Sequence, residues 1–507
     1  MKLDVNKNTK RNIAVGFFSK IILMILPFVT RSIIHSVLGA DYLGLGSLFS
    51  SIMQVLSLAD LGLSSAVVYH MYRPIAENDQ DQINALLGFY RRAYRVIGLA
   101  MLGFGAVMMF FLPYLVKGSY PAGINIYGLF AIYVVNSAVS FFLFGYKQSL
   151  LAAYQREDIR ATANLIVQLS LQICQIVLLL TTHDYYLFVL CMPVFTVIGN
   201  LWIGYITKKI FPKAKADKMP DHATRHRIKQ LMFGTFIQKA CGVTRNSLDS
   251  ICVSMFLGLV LTGIYNNYYV VFNGVLAFLG IISTSLSGGI GHHVAVKSAA
   301  ENFEELKKLD FLFMTLSGIC TVCLLCLYQP FMKLWMGEDM LLPMGAVVLL
   351  CLYFYALCIG NMKYLYNTAN GLWWELRWRA ILETVANVAL NIILGKYWGV
   401  NGIIAATLIS LFLFNFCWGS TILFKAYFQM ENIWTYFGYH LRYFAVTALI
   451  CAATWFITNA LIVVDDALLA LVVKGAITPV IAAAMYGLVY CRTDIFKQSL
   501  RLIKIRN

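Results

Sequence analysis

The sequence predicts an all-α polytopic membrane protein of about fourteen transmembrane helices, arranged as two six-helix lobes around a central cavity plus two C-terminal helices. Three observations predict it. Of 507 residues, 60% are hydrophobic and 13% charged, with a mean hydropathy of +0.72, a balance that leaves too little polar surface for a solvated globule. Apolar stretches of about twenty residues, enough to cross roughly 30 Å of hydrocarbon, recur along the whole chain with short polar breaks. The Lys and Arg residues between them gather on alternate loops.

The first span covers residues 13–37; it has neither the length nor the small-residue cleavage site of a signal peptide and is expected to persist as a helix. Spans follow at 45–72, 94–116, 125–147, 161–182 and 185–207, which make an N-lobe over 1–207. The longest and most basic break, 208–229, reads as a cytoplasmic linker. Beyond it, spans at 230–257, 261–289, 309–330, 344–366, 378–397 and 401–425 make a C-lobe over 230–425. Two more at 441–463 and 467–490, with a basic tail, occupy 426–507. An even number of spans puts both termini on one side. Lys2, Lys7, Lys10, Arg11, Arg91, Arg92, Arg95, Lys147, Arg156, Arg160, the 208–229 break and the stretch from Arg492 to Arg506 all fall there. Only Lys117, Lys333 and Lys396 fall opposite, so both termini are expected in the cytoplasm. This bias accounts for most of the net charge of +16, and without a basic face on a folded domain it gives no nucleic-acid footprint.

An internal repeat underlies the two lobes. At an offset of about 219 residues, Leu38-Gly39 and Gly44 fall on Leu257-Gly258 and Gly263, Lys20 on Lys239, and Arg160 on Arg379. The expected outer loops do not exceed about thirteen residues, a length of bare connections, which disfavours a membrane-embedded polymerase, ligase or glycosyltransferase. No phosphate-binding loop of the G-x-x-x-x-G-K-[ST] type occurs, and Gly44-x-Gly46 and Gly103-x-Gly105 lack the remaining glycine and context of a nucleotide fold. Cys320-x-x-Cys323-x-x-Cys326 has metal-like spacing but sits mid-span with no His or acid beside it, and adjacent His292 and His293 point apart on a helix. No metal, cofactor or catalytic residue is expected.

Charges within the spans are the informative residues, since each costs about 2.5–3.5 kcal/mol at a helix centre on insertion scales. Lys20 and Arg31 are eleven residues apart on the first helix, which at 100° per residue returns them to within about 20° of one face. Pro27 and His35 extend that stripe. The seventh helix carries Lys239, Arg245, Asn246 and Asp249 within a wedge of about 120°, with Arg245 and Asp249 spaced for pairing along one face. Two readings stand together here. Lys20 and Arg31 are long enough to snorkel to the two interfaces; or Lys20, Arg31, His35, Lys239 and Arg245 line a cationic cavity between lobes that receives an anion, with Arg offering a two-pronged fit to phosphate. Asp60 reads as a counter-ion to those cations, a protonatable coupling site, or a helix-end residue beside a break at Gly62. Asp249 reads as a proton- or sodium-coupling site, or as the structural partner of Arg245. Ser19, Thr30, Ser32 and Ser36 suit sugar hydroxyls or close helix packing.

The segment "LGADYLGLGSLFSSIMQVLSLADLGLSSAVVYHMYRPIAENDQDQI" at 38–83 resembles the leading segment of bacterial polysaccharide transporters of the multidrug/oligosaccharidyl-lipid/polysaccharide (MOP) exporter superfamily, and "NSLDSICVSMFLGLVLTGIYNNY" at 246–268 and "LLAAYQR" at 150–156 are softer matches. The chain departs from the pattern at Gly291-His292-His293, where Gly-Asn is expected. The resemblance implies a flippase in a bacterial cell membrane that moves a polyprenyl-diphosphate-linked oligosaccharide from the inner to the outer leaflet by alternating access. It places Arg31 at the first-helix cation position, Asp60 at the acidic position before Leu-Gly, and Asp249 at the seventh-helix acidic position. Implied with it are membrane lipids, a polysaccharide polymerase and glycosyltransferases as partners, and drive from a proton, a sodium ion or the membrane potential. The alternative is a cation-coupled multidrug exporter of the same superfamily, which would prefer an acidic cavity.

Overall fold

The computed structural model describes residues 5–60, 63–118, 120–121, 123–461 and 464–504, and all its regular elements are helical among the described residues. The chain separates into two compact units, one up to Asn266 and one from Asn267.

The first unit contains α1 (Val5–Leu38), α2 (Ala40–Leu56), a 3-10 turn at Ser57–Asp60, α3 (Leu63–Glu77), α4 (Gln80–Leu115) and α5 (Ile126–Phe142). A second 3-10 turn at Phe144–Lys147 leads to α6 (Gln148–Ala153), α7 (Glu157–Thr182), α8 (Tyr185–Ile210), α9 (His222–Leu257) and the first turns of α10 (Leu259–Val296). In it α1 packs on α7, α7 on α8, α5 on α4 and α8, and α2 on α9. The second unit holds the rest of α10, then α11 (Ala299–Met336), α12 (Met344–Ile359), α13 (Asn361–Ala369) and α14 (Arg377–Ser410). A π-helical segment at Leu411–Trp418 continues into α15 (Gly419–Ala426), followed by α16 (Ile433–Leu461), α17 (Ala467–Tyr490) and α18 (Asp494–Lys504). Helix starts are set by short polar side chains that accept the first free amides. Asp79, Asn125, Asp184, Asp221 and Asp466 each accept from amides two or three residues on, and Ser298 forms a reciprocal capping box with Glu301.

Among the described residues ten helices are long and apolar enough to cross a membrane, or eleven if α5 and α6, bent by 50°, form one span. The stretch Arg377–Ala426 passes as one of these at 50 residues, a rise of about 75 Å that no single crossing can use. It doubles back at Gly399, whose φ of 59° and ψ of −137° break the helix. A methyl group at Gly402 would lie 2.0 Å from the Leu394 carbonyl oxygen, and Asn387 donates across the bend to Thr407 and Ser410 at 2.8 and 3.3 Å. The expected spans 378–397 and 401–425 are these two limbs. The remaining expected spans are α2 with α3, which the 3-10 turn interrupts, and α9, whose charges lower its mean hydropathy. Eleven, one more for the doubling back and these two reach the expected number of about fourteen. Large apolar side chains such as Phe110, Tyr114, Val480 and Leu488 stand exposed along these helices, as a lipid-facing surface requires.

The repeat is visible in backbone conformation. Gly39 (φ 99°, ψ 179°) and Gly258 (φ 92°, ψ 176°) turn the chain between α1 and α2 and between α9 and α10 in the same strained region, open at little cost only to glycine. Gly118 (φ 89°) and Gly337 (φ 99°) hold the same offset of about 219 residues. The paired motifs also touch: a methyl on Gly44 would lie 1.9 Å from the Leu259 carbonyl oxygen, and one on Gly263 3.0 Å from that of Ala40. These glycines let α2 and the start of α10 cross backbone to backbone.

Candidate functional site

Lys20 and Arg31 lie on one helix, but the structure gives them different surroundings. Lys20 is exposed and, among the described residues, pairs with no acid. It projects from α1 into a cavity of about 640 Å³ within the first unit, closed by α5, α6, α7 and α8. The volume falls in the range of small-molecule sites, roughly 300–1,000 Å³. Ser19, Ser140, Gln148, Asn164, Gln168 and Asn200 supply hydroxyl and amide groups to its wall. Arg160 enters from α7, held by Glu157 at 2.6 Å with both side chains partly exposed. With that pair balanced, Lys20 is the excess charge of the cavity. Its polar wall is itself braced: Thr196 donates to Asn136 at 2.7 Å and Asn200 to Ser140 at 3.4 Å.

Arg31 is half-buried and works as a clamp. Its guanidinium donates to the Ser47 hydroxyl of α2 at 3.3 Å and to the Gly263 carbonyl of α10 at 3.2 Å. It therefore ties α1 to both helices of the glycine crossing, next to a tyrosine pair, Tyr133 and Tyr185, whose hydroxyls stand 3.5 Å apart. His35 follows one turn later on α1, half-buried. Of the hydroxyl residues on this helix, Thr30 bonds Gln172 of α7, while Ser32 and Ser36 bond back to their own helix.

On α9, Lys239 is exposed, Arg245 half-buried and Asp249 fully buried. Around them this helix is sewn into the first unit by small hydroxyl residues. Ser247 donates to Gln54 of α2 at 3.1 Å, Ser254 to the Leu115 carbonyl of α4 at 2.8 Å, and Asn266 of α10 to Ser250 at 2.8 Å. Asp60 closes the 3-10 turn after α2; its side chain, and residues 61–62 with the expected break at Gly62, lie outside the described residues. His293 Nδ1 stands 2.5 Å from Glu305, which also holds Lys297 at 2.8 Å. Cys320, Cys323 and Cys326 lie along α11, none of them exposed.

A second group of charges, in the second unit, is one the sequence reading passed over. Asp310 (α11), Lys363 (α13), Arg379 and Glu383 (α14) and His440 (α16) are all buried. Arg379 donates to Glu383 at 2.6 Å with side-chain exposures of only 8% and 2%. Lys363 Nζ is captured by the carbonyl oxygens of Asn415 and Phe416, which the π-helical segment frees from the regular ladder. Tyr439 donates to Asp310 Oδ2 at 2.7 Å, and His440 Nε2 stands 3.4 Å from the same oxygen. Asp310 sits at the edge of an expected span and His440 one residue before another, so position along the sequence disguised them as interfacial. In the sequence, Arg379 stands out only as the repeat partner of Arg160. The two arginines have diverged, one lining the 640 Å³ cavity beside Lys20 and the other sealed against a buried acid.

No protein-family model matches the chain, and no curated protein matches it in sequence. Solved structures do match. A structure described as lipid II flippase MurJ in an inward closed conformation superposes with a TM-score of 0.66 at 16% identity, covering 95% of this chain and 99% of that one. An inward-facing multidrug resistance MATE family transporter of the MOP superfamily superposes with a TM-score of 0.61 at 13% identity, covering 78% of this chain and 94% of that one. A MATE transporter from Vibrio cholerae gives 0.56 at 13% identity over 85% and 99%. At such identities the likeness establishes the fold: this chain has the fold of the MOP transporters.

Proposed function

We propose that this protein is a flippase that moves a polyprenyl-diphosphate-linked oligosaccharide from the inner to the outer leaflet of a bacterial cell membrane, by alternating access, for synthesis of a cell-surface polysaccharide. The observation that carries the reading is the Lys20 cavity: a hydroxyl- and amide-rich chamber among membrane-spanning helices with one uncompensated cation. A lipid diphosphate brings about two negative charges that cannot enter hydrocarbon alone, and a fixed cation with hydrogen-bonding walls replaces their hydration. The glycan hydroxyls suit the same amides, while the prenyl chain stays in lipid. The end-to-end match to a lipid-linked substrate flippase supports the reading at the level of fold. In this reading both termini are cytoplasmic, Arg31, His35, Lys239 and Arg245 extend the cationic lining, Asp60 and Asp249 serve as counter-ions or coupling acids, and a polymerase and glycosyltransferases act beside it. The two lobes, 1–207 and 230–425, joined by the 208–229 linker, are the bodies that alternate.

A second reading, a cation-coupled multidrug exporter, has its support in the MATE structures. Those are nearly fully covered while 78–85% of this chain is used, so the chain carries helices they do not need, and the cavity's excess charge is positive rather than negative. The test is purified protein in vesicles containing a fluorescent polyprenyl-diphosphate sugar. Faster loss of that lipid to an external reductant than in protein-free vesicles supports the flippase; no acceleration, with uptake of an organic cation instead, overturns it.

A further inference from the structure

We propose that Asp310 and His440 form a proton-holding site in the second unit, loaded from the aqueous phase through the hydroxyl of Tyr439. The site rests on the transporter reading only for what the proton drives. Five ionisable side chains converge within the membrane-spanning helices here, and buried charges at such depth are costly enough that each needs a role. Three have one: Arg379 pairs with Glu383, and Lys363 is spent on the opened carbonyls of the π-helical segment. Asp310 and His440 differ. Their side chains are 1% and 2% exposed, yet Asp310 Oδ1 and both ring nitrogens of His440 have no hydrogen-bond partner among the described residues, Nε2 standing 3.4 Å from Asp310 Oδ2. Unsatisfied polar atoms buried this completely call for an occupant, and a proton is one that a carboxylate and an imidazole can both take.

Access is one-sided. Tyr439 is half-buried and forms part of the wall of a cavity of about 610 Å³ between α11, α16, α17 and α18, whose lining includes the charged and polar groups of Glu304, Lys307, Arg442 and Gln498. The same tyrosine donates to Asp310 Oδ2 at 2.7 Å. On its other side His440 faces an apolar groove of about 670 Å³ lined by Phe412, Phe416, Phe437 and Phe444, which offers a proton no path. The relay is balanced atom by atom. The Tyr439 O–H bond breaks as an Asp310 Oδ2–H bond forms, and a hydronium from the cavity restores the phenol. The proton then leaves Oδ2 for the lone pair of His440 Nε2, with the imidazole's own hydrogen on Nδ1. One carboxylate, one imidazole and one phenol are too few donors for a hard cation, but each carries a transferable proton.

The surroundings set the charge of the loaded state. Lys363 and Tyr366 from α13 face Asp310, and Lys363 in turn faces Arg379 and Glu383 from α14 and Cys417 from the π-helical segment. From α16 come Tyr436, Tyr443 and Arg442, from α17 Tyr490, and on α11 itself Glu305 lies beyond Tyr366, already held by His293 and Lys297. A proton on the pair adds one positive charge to this buried set. A buried charge that appears and disappears is a means of making one conformation cheaper than another.

The experiment is an infrared titration of the full chain in lipid nanodiscs between about pH 5 and about pH 8. The expected result is a carboxyl and imidazole difference signal that vanishes in both Asp310→Asn and His440→Gln, with Tyr439→Phe retaining it but responding to a pH jump roughly a hundredfold more slowly. His440→Gln keeps the side-chain volume, so it serves even if Asp310→Asn fails to fold. A signal unchanged in His440→Gln, or a Tyr439→Phe response at the wild-type rate, overturns the proposal. If the signal behaves as expected but vesicles show no lipid flipping, the proton site stands and the substrate reading falls.

Discussion

The glycine crossing between α2 and α10 sets a stability prediction that the structure makes quantitative. In Gly44→Ala the new methyl would sit 1.9 Å from the Leu259 carbonyl oxygen, whereas ordinary contact begins at 3.4 Å. The two backbones must separate by 3.4 − 1.9 = 1.5 Å, and neither atom belongs to a flexible side chain. Overpacking of this kind costs about 1–3 kcal/mol. Separation also pulls the Gly263 carbonyl from the Arg31 guanidinium, 3.2 Å away, a charged hydrogen bond worth about 1.5–3 kcal/mol when both groups are buried and less for half-buried Arg31. Together the loss is on the order of 3 kcal/mol, roughly a hundredfold in the folding equilibrium. Gly280→Ala is the control, because a methyl there meets nothing within 4 Å and alanine is the better helix former. The assay is unfolding of the purified full chain by a denaturing detergent, followed by tryptophan fluorescence. Equal midpoints for Gly44→Ala and Gly280→Ala would refute the close crossing and with it the structural half of Arg31's role.

Other expectations follow from the same geometry. Glu383→Gln should destabilise the chain by about 3–5 kcal/mol by removing the carboxylate charge that buried Arg379 pairs with, while Arg379→Met combined with Glu383→Leu recovers most of the loss, as a double-mutant cycle in the same unfolding assay would report. Lys20→Gln should cut lipid flipping at least tenfold with unchanged expression and unfolding midpoint, and Lys20→Arg should keep most of it; equal rates for all three would remove Lys20 from the substrate path. Asp221, which caps α9, has its pKa lowered, first by the Thr224 side chain and then by the amides it accepts from. A depressed folded-state pKa means that its support of the helix start is present above the unfolded carboxylate value and lost as pH falls through the folded one. Asp221→Ala should therefore speed amide exchange in the first turn of α9 at neutral pH and lose that effect in strong acid.

How far the sequence led depends on which physical signal each feature leaves in it. Span positions and the repeat were legible because they rest on composition and on glycine. Leu38-Gly39 and Leu257-Gly258 announced two turns that share one backbone conformation, a conformation other residues adopt only with strain. The interruption of the expected second span at Ser57–Asp60 was legible only as one of three readings of Asp60, a helix end beside Gly62, since nothing in "SLAD" itself forbids a continuous helix. Periodicity put Lys20 and Arg31 on one face, but a face is not an environment. What separates them is which neighbours each meets, a cavity wall of α7 and α8 for one and Ser47 with the Gly263 carbonyl for the other. The buried charges of the second unit were missed for the same reason. Asp310, Lys363, Arg379, Glu383 and His440 come from four helices and stand near the expected ends of their spans, where a lone charge reads as interfacial. Only tertiary packing shows that they face one another.

The central claim is that the Lys20 cavity carries a lipid diphosphate, and leaflet exchange measured in one preparation tests it most directly. Proteoliposomes loaded with a fluorescent polyprenyl-diphosphate oligosaccharide should expose the inner-leaflet pool to an external reductant when they contain the wild-type chain. They should do so at least tenfold more slowly with Lys20→Gln. An inner-leaflet pool that stays protected with the wild-type protein, or one released equally fast by Lys20→Gln, would contradict the account.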